Sequence, residues 1–388
     1  MNWRKQILVL LFSVALAFSQ YGCSSSLQVE NQAYAIVMGL DREDNGQLRM
    51  CIQIPKIAGN GAETQSDASG GSSGNYTRLE VRAESFNEAL ERMGWASPRR
   101  LNLSQLKLIV LSRALCEEAG NARLLRDIAQ TQRLFTAARV AVCEGSACAF
   151  VAAIAPNVGL RMSADIQSTL DYEREIGLIP QGYLAELHYQ TESVYSDPLA
   201  IYAVQRQTEG GNAEEARAAF AFDQSTDALS EANDSEIPVR YLGAAVFADG
   251  QMKGSFNAQQ TIFANLLRNS LESFHFDNNG QSVNIVPVRA TFVRVDTDTE
   301  PVRIHVSARL SIAAQQADPD EAQLRADLKR GIEDVFHAAQ RMGAEPFGFA
   351  EKAAVHFATL GQWKAYDWRK RFTSAELEVE LLFAHSGA

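Results

Sequence analysis

Apolar and polar positions change period several times along this chain, and the changes mark its elements. From Ile7 to Phe18 every residue except Ser13 is apolar, behind the charged pair Arg4-Lys5 and ahead of the small and polar stretch Ser19 to Gly22. A helix of that dozen residues spans roughly 18 Å, well short of the ~30 Å hydrocarbon core, so the pattern reads as a signal peptide and not a membrane span. Gln32 to Leu40 is apolar and predicts a strand; Leu48, Met50, Ile52 and Ile54 alternate and predict its hairpin partner. Residues 57–76 are rich in Gly, Ser and Ala and read as a loop. A strand over Thr77 to Ala83 leads into a helix that Ser85 and Glu88 cap reciprocally, ending near Gly94. Next come a strand around Leu106 to Val110, a helix from Ala114 to Gln130, a strand from Ala137 to Cys143 and a short helix from Ser146 to Ile154. Helices over Ser163 to Tyr172 and Gln181 to Tyr189 and a strand over Leu199 to Val204 follow. Strands alternating with helices predict layered α/β structure.

The second half opens after Pro238. Tyr241 to Phe247, the turn Ala248-Asp249-Gly250, and Gln251 to Ser255 predict a hairpin; Asn257 caps a helix carrying Ile262, Phe263, Leu266 and Leu267. Two long strands are expected, about Val283 to Val295 and Arg303 to Ile312. In the second, Ile304, Val306, Ala308, Leu310 and Ile312 share one face, as in an antiparallel sheet packed on one side. Asp318 as N-cap with Pro319 at the first position predicts a helix to about Met342, its stripe formed by Leu324, Leu328, Val335 and Ala339. A shorter helix over Phe349 to Leu360 precedes Trp363, Trp368 and a last strand with Leu377, Val379 and Leu381 alternating. The fold class expected is α+β (mixed α/β) and multidomain: N-terminal sheet-and-helix domains, then a C-terminal antiparallel sheet against a long helix.

Charge divides the chain. Residues 208–236 hold eight acids against Arg217 alone, the composition of a solvated linker. The expected division is 1–22 signal peptide, 23–30 anchor and tether, 31–207 an N-terminal α/β region of one or two subdomains, 208–237 an acidic linker, and 238–388 a C-terminal α+β domain. Net charge is −11, and loss of Arg4 and Lys5 with the signal peptide takes it to −13. Such a chain is a poor nucleic-acid binder and is repelled by anionic lipid, so membrane attachment falls to a lipid or to protein partners.

Cys23, directly after Gly22, resembles the lipidated Cys of a bacterial lipobox, although Gln20 and Tyr21 depart from that pattern; the plainer reading is ordinary secretion with a chance Cys. Two or more acyl chains on Cys23 give stable anchoring, and Ser24 to Ser26 form a tether. Of the other cysteines, Cys143 and Cys148 stand close enough for a local disulfide, or are two separate buried thiols. Gly70-Gly71-Ser72-Ser73-Gly74 matches a nucleophile-elbow spacing but sits in a low-complexity loop. The six His show no metal-binding helical spacing, and His305 lies on the polar face of its strand, which predicts solvation. Asp296, Asp298 and Glu300 read as a solvated turn rather than a calcium loop. Arg99 and Arg100 are candidates for pairing with carboxylates of a partner or of this chain, and Trp363, Trp368 and Phe372 read as core.

Four segments in order resemble the Ger(x)C family of spore germination lipoproteins. They are Ala35-Ile36-Val37-Met38-Gly39-Leu40-Asp41 with Met50 to Ile54; Ser97-Pro98-Arg99-Arg100-Leu101 with Gln105 to Val110; Leu242 to Phe247 with Met252-Lys253-Gly254; and Glu345-Pro346-Phe347-Gly348 with Trp363 and Phe372. Gln105 stands where the family suggests His, and Glu345 where it suggests Asp. The resemblance implies a non-catalytic C subunit of a nutrient germinant receptor, lipid-anchored at Cys23 on the outer face of the spore inner membrane. It implies integral-membrane A-type and B-type subunits as partners, and no cofactor, metal or nucleic acid. A transporter's substrate-binding lipoprotein is the alternative, but the halves show no repeat of two lobes; a secreted hydrolase would need a nucleophile and base, and none converge in the sequence.

Overall fold

The computed structural model describes residues 31–55, 76–118, 121–131, 134, 137–154, 162–205, 239–278, 281–312 and 320–384, with Trp3, Ile7 and Ser13. The 57–76 loop apart from Tyr76, the Gly70 to Gly74 motif, the acidic segment and Cys23 lie outside them.

Apolar runs with no alternation build the centre of the larger sheet. β2 (Val37–Arg42), β6 (Leu108–Ser112), β7 (Arg139–Cys143) and β8 (Leu199–Gln205) pair parallel with one another in that order. Every residue of β6 and β7 is buried, because helices cover both faces. On one face lie α1 (Phe86–Ala96), α2 (Arg113–Glu117), α3 (Asn121–Ala129) and α6 (Leu184–Glu192); on the other lie α4 (Ala147–Ala153) and α5 (Met162–Glu175). Antiparallel strands close both edges: β3 (Leu48–Pro55) and β4 (Tyr76–Ala83) beside β2, β9 (Val239–Ala248) and β10 (Gln251–Phe256) beside β8. The hairpin that opens the second half of the sequence is therefore hydrogen-bonded into the first half's sheet. A two-stranded parallel pair joins β1 (Gln32–Tyr34) to β5 (Arg100–Asn102).

The smaller sheet holds β11 (Phe274–Asn278), β12 (Gln281–Pro287), β13 (Phe292–Asp296), β14 (Arg303–Ile312) and β15 (Glu376–Ala384). Its inner face packs on α8 (Glu321–Met342), whose stripe Leu324, Leu328, Ile332, Val335 and Ala339 is buried. Between the sheets lies α7 (Ala258–Leu267), with buried residues all around it, and Leu199, Ala244, Val246 and Phe256 of the larger sheet share one core with α7, α8 and the smaller sheet. α9 (Phe349–Ala354), α10 (Leu360–Tyr366) and α11 (Trp368–Phe372) complete this half.

Several expectations shift. The Val283 to Val295 strand is two strands that meet β14 in turn, interrupted after Pro287, which has no N–H for a continuous ladder. β15 runs parallel to β14 because the chain returns through α8 to α11 before pairing. The long helix is capped by Asp320, whose carboxylate accepts from the N–H groups of Ala322 and Gln323 at 3.0 and 3.2 Å; Asp318, the expected cap, lies outside the described residues. At α1, Ser85 accepts from the Glu88 N–H, but Glu88 reaches the Glu84 N–H rather than that of Ser85, and the helix continues past Gly94 to Ala96. The Ala114 to Gln130 helix divides at Glu118, which is extended, and the Phe349 to Leu360 helix divides into α9 and α10. Cys51, Cys116, Cys143 and Cys148 are free, buried thiols. His305 is half-buried between two acids instead of solvated: Nε2 lies 3.0 Å from Asp296 and Nδ1 2.8 Å from Glu378 on the neighbouring strands.

Candidate functional site

The fourth family segment builds the joint between the two sheets. α8 ends at Gly343, left-handed at φ +66°, and the chain turns through Glu345-Pro346-Phe347 to Gly348, left-handed at φ +81°, where α9 begins. Both turns call for a residue without a Cβ. Glu345 is 4% exposed. One of its carboxylate oxygens accepts from Phe347 N–H (2.9 Å) and Phe349 N–H (3.2 Å), the other from Ala350 N–H (3.1 Å). The side chain thus satisfies first-turn donors of α9 that have no partner inside the helix.

Across the joint stands Asp197, at the foot of β8 and 6% exposed. Its N–H donates to Glu345 O (3.0 Å) and its Oδ2 accepts from Glu345 N–H (2.8 Å). Its Oδ1 accepts from Arg369 Nη2 (2.8 Å), and Arg369 Nη1 reaches Asp249 at the tip of the β9–β10 hairpin (3.1 Å). Arg268 donates to Pro346 O and to Glu186 (2.6 Å), a second tie between α7, α6 and the turn. Trp363 Nε1 donates to Val194 O (3.3 Å). These bonds stitch the segment before β8 to α9 through α11.

Burial pushes the Glu345 carboxyl up to about 8, with Asp197 adding to the rise and the three N–H donors opposing it. Asp197 is raised by burial as well, partly offset by Arg369. The pair therefore keeps a proton into the neutral range. Beside it lies a cavity of about 170 Å³ lined by Tyr195, Trp363, Trp368 and the acid pair. The buried indole N–H of Trp368 has no partner among the described residues. Trp363, Trp368 and Phe372 are core, as expected. No cluster of three metal-ligating side chains occurs among the described residues.

Of the residues singled out in the sequence, Arg99 and Arg100 lie far along the chain from the joint and are exposed. Arg100 opens β5 opposite Gln32 of β1. Among the described residues neither makes an ion pair, while Trp95, four residues before Arg99, is 77% exposed. Asp197 and Arg369 gave no signal in the sequence; Glu345 was visible only as part of a family segment.

The two-sheet fold has a solved counterpart. The crystal structure of the GerBC protein superposes with a TM-score of 0.52 at 10% identity, over 90% of this chain and 97% of that one. Residues 25–204 match the family described as spore germination protein N-terminal domain, and residues 242–383 match spore germination B3/GerAC like, C-terminal. The chain belongs to the spore germination GerAC/GerBC, or Ger(x)C, family. No curated protein matches it.

Proposed function

We infer that this chain is the lipid-anchored, non-catalytic subunit of a nutrient germinant receptor. Cys23 carries the lipid on the outer face of the spore's inner membrane, and the Arg99-Arg100 edge docks on acidic groups of integral-membrane A-type and B-type subunits. The observation that carries this reading is membership of a germination family across both halves of the chain. Two features support the details. No helix among the described residues is long and apolar enough to cross a membrane, so a lipid suits the attachment. The register Gln32↔Arg100 also ties the docking edge to the tether: Gln32 is nine residues from Cys23, a reach of at most ~30 Å. Trp and Arg, exposed together, are the side chains that dominate protein interfaces. The division into a 31–207 region, an acidic linker over 208–237 and a 238–388 domain belongs to this proposal, with β9 and β10 of the latter pairing into the former's sheet.

The test is genetic. Spores lacking the gene lose germination with one class of nutrient; the wild-type chain restores it, and Cys23→Ala does not. Arg99→Glu with Arg100→Glu leaves the chain folded and membrane-bound but lowers the response. Normal germination of the null strain with every nutrient, alongside impaired uptake of one solute, contradicts the reading and favours a transporter's binding protein.

A further inference from the structure

Gly39 of β2 is a point where a helix comes down onto the larger sheet. A Cβ built there would lie 3.0 Å from the Ala147 carbonyl oxygen and 3.0 Å from Val151 Cγ2, so a residue without a side chain is what lets α4 seat this closely. The same Cβ would lie 2.7 Å from the sulfur of Cys51, the β3 residue paired with Gly39. The Cys51 thiol therefore leans over Gly39, into the space the missing side chain leaves. α4 brings a second thiol to that space. Cys148 Sγ is 3.9 Å from the Gly39 carbonyl oxygen, and the Cys148 and Cys51 thiols lie within hydrogen-bonding reach of each other.

The next row of the hairpin fixes the seat. Asp41 stands opposite Arg49, and its carboxylate accepts from the Ala147 and Cys148 N–H groups and from Ser146 Oγ. The start of α4, and Cys148 with it, is thus held in place over β2 and β3. The remaining thiols are placed differently. Cys116 packs in the core on one face of the sheet and Cys143 in the core on the other, with the strands between them. Cys148 stands near Cys143 in sequence but meets Cys51 in the fold. A disulfide needs Cα atoms about 4.4–6.8 Å apart, and the bare Gly39 is what brings strand and helix close enough.

We propose that Cys51 and Cys148 are joined by a disulfide in the exported chain, fastening α4 to the β2–β3 hairpin. In the folded chain Cys51 is fully buried and Cys148 is 4% exposed, and the neighbouring thiol together with burial holds Cys148 protonated. The bond therefore forms during folding, while both thiols meet solvent. One thiolate attacks a donor disulfide, R–S–S–R, and expels the first R–S⁻. The second thiolate attacks the resulting mixed disulfide and expels the other R–S⁻. The two thiol protons end on two R–SH, and two electrons have passed to the donor. The cross-link closes a loop that contains β4, α1, β5, β6, α2, α3 and β7, and a cross-link restricts the unfolded chain more as its loop lengthens. The proposal rests on the reading of the chain as exported, since a cytosolic protein keeps its thiols reduced.

Peptide mapping without reduction tests it. The full-length chain is isolated from the membranes of the cells that make it, with thiol exchange quenched by acid. Its free thiols are alkylated in denaturant, and it is cut with trypsin and a Glu-specific protease. Cleavage after Arg49, Lys56, Arg139, Glu144 and Arg161 puts Cys51, Cys143 and Cys148 on separate peptides. The expected product is residues 50–56 joined to residues 145–161, with Cys116 and Cys143 alkylated. A second sample, unfolded and reduced in urea and then diluted into glutathione with glutathione disulfide, gives the same product. Its urea midpoint falls when the bond is reduced; the midpoint of Cys143→Ala falls likewise, and that of Cys51→Ala does not move. Cys51 and Cys148 found alkylated, or either one bridged to Cys116 or Cys143, overturns the proposal. Failure in both samples places the fault in the pairing, and failure in the membrane sample alone places it in the export reading.

Discussion

The two sheets solve the problem of burial differently. The larger is covered by helices on both faces, so its central strands β6 and β7 are buried at every position, apolar except for Ser112 and Arg139. The smaller is covered by α8 on one face only, and β14 alternates strictly, Ile304, Val306, Ala308 and Leu310 inward. Its outer face carries polar rows from strand to strand: Arg294 opposite His305 opposite Glu378, and Asp296 opposite Arg303 opposite Glu376. The difference assigns their work. The two-sided sheet seats a helix closely enough at Gly39 to bring two thiols together, while the one-sided sheet offers a flat charged surface and is held to its neighbour by a buried acid joint.

Breaking that joint has the largest effect. Asp197→Ala leaves the buried Glu345 N–H without its acceptor and Arg369 without its inner partner, at a cost of about 3–5 kcal/mol in urea unfolding. Within the sheets, Ile109→Ala in the two-sided β6 costs about 2–5 kcal/mol, while Leu382→Ala on the outer face of β15 costs less than about 1 kcal/mol. Equal costs would show that the smaller sheet's outer face is covered.

The joint also titrates. The folded Glu345 keeps its proton up to about 8 against an ordinary 4.5, so between those values the native state binds more protons than the unfolded one. Its contribution is fully present below about pH 4.5 and is lost as pH rises toward 8, and Asp197 acts in the same direction. Urea midpoints measured from pH 5 to pH 8 should fall in wild type and flatten in Glu345→Gln. A variant that keeps the full slope would move its origin elsewhere. The smallest effect belongs to the open face: His305→Gln, which removes the pairs to Asp296 and Glu378, costs about 0–1 kcal/mol.

Much of this architecture is visible in the chain itself. Apolar runs mark β6, β7 and β8, alternation marks β14 and β15, and the spacing of Leu324, Leu328, Val335 and Ala339 marks the buried stripe of α8, to which the structure adds Ile332, Phe336 and Ala338. Alternation also put His305 outward correctly, but a strand read alone does not show the acids on its neighbours. The joint was hidden for a similar reason. Asp197 and Glu345 are 148 positions apart, and each looks like an ordinary surface acid until the fold buries both. The meeting of Cys51 with Cys148 depends on α4 lying across β2 and β3, a property of tertiary packing that no local pattern encodes. The single strand expected from Val283 to Val295 shows the limit at short range, where apolar periodicity ran on through the break at Pro287.

The central claim is that the two sheets form one mechanical body through the shared core and the Asp197–Glu345–Arg369 joint. Differential scanning calorimetry of wild type and Asp197→Ala at pH 6 tests it most directly. One cooperative transition in wild type, splitting into two in the variant, is the predicted result. Two separate transitions already present in wild type, unmoved by the substitution, would contradict it.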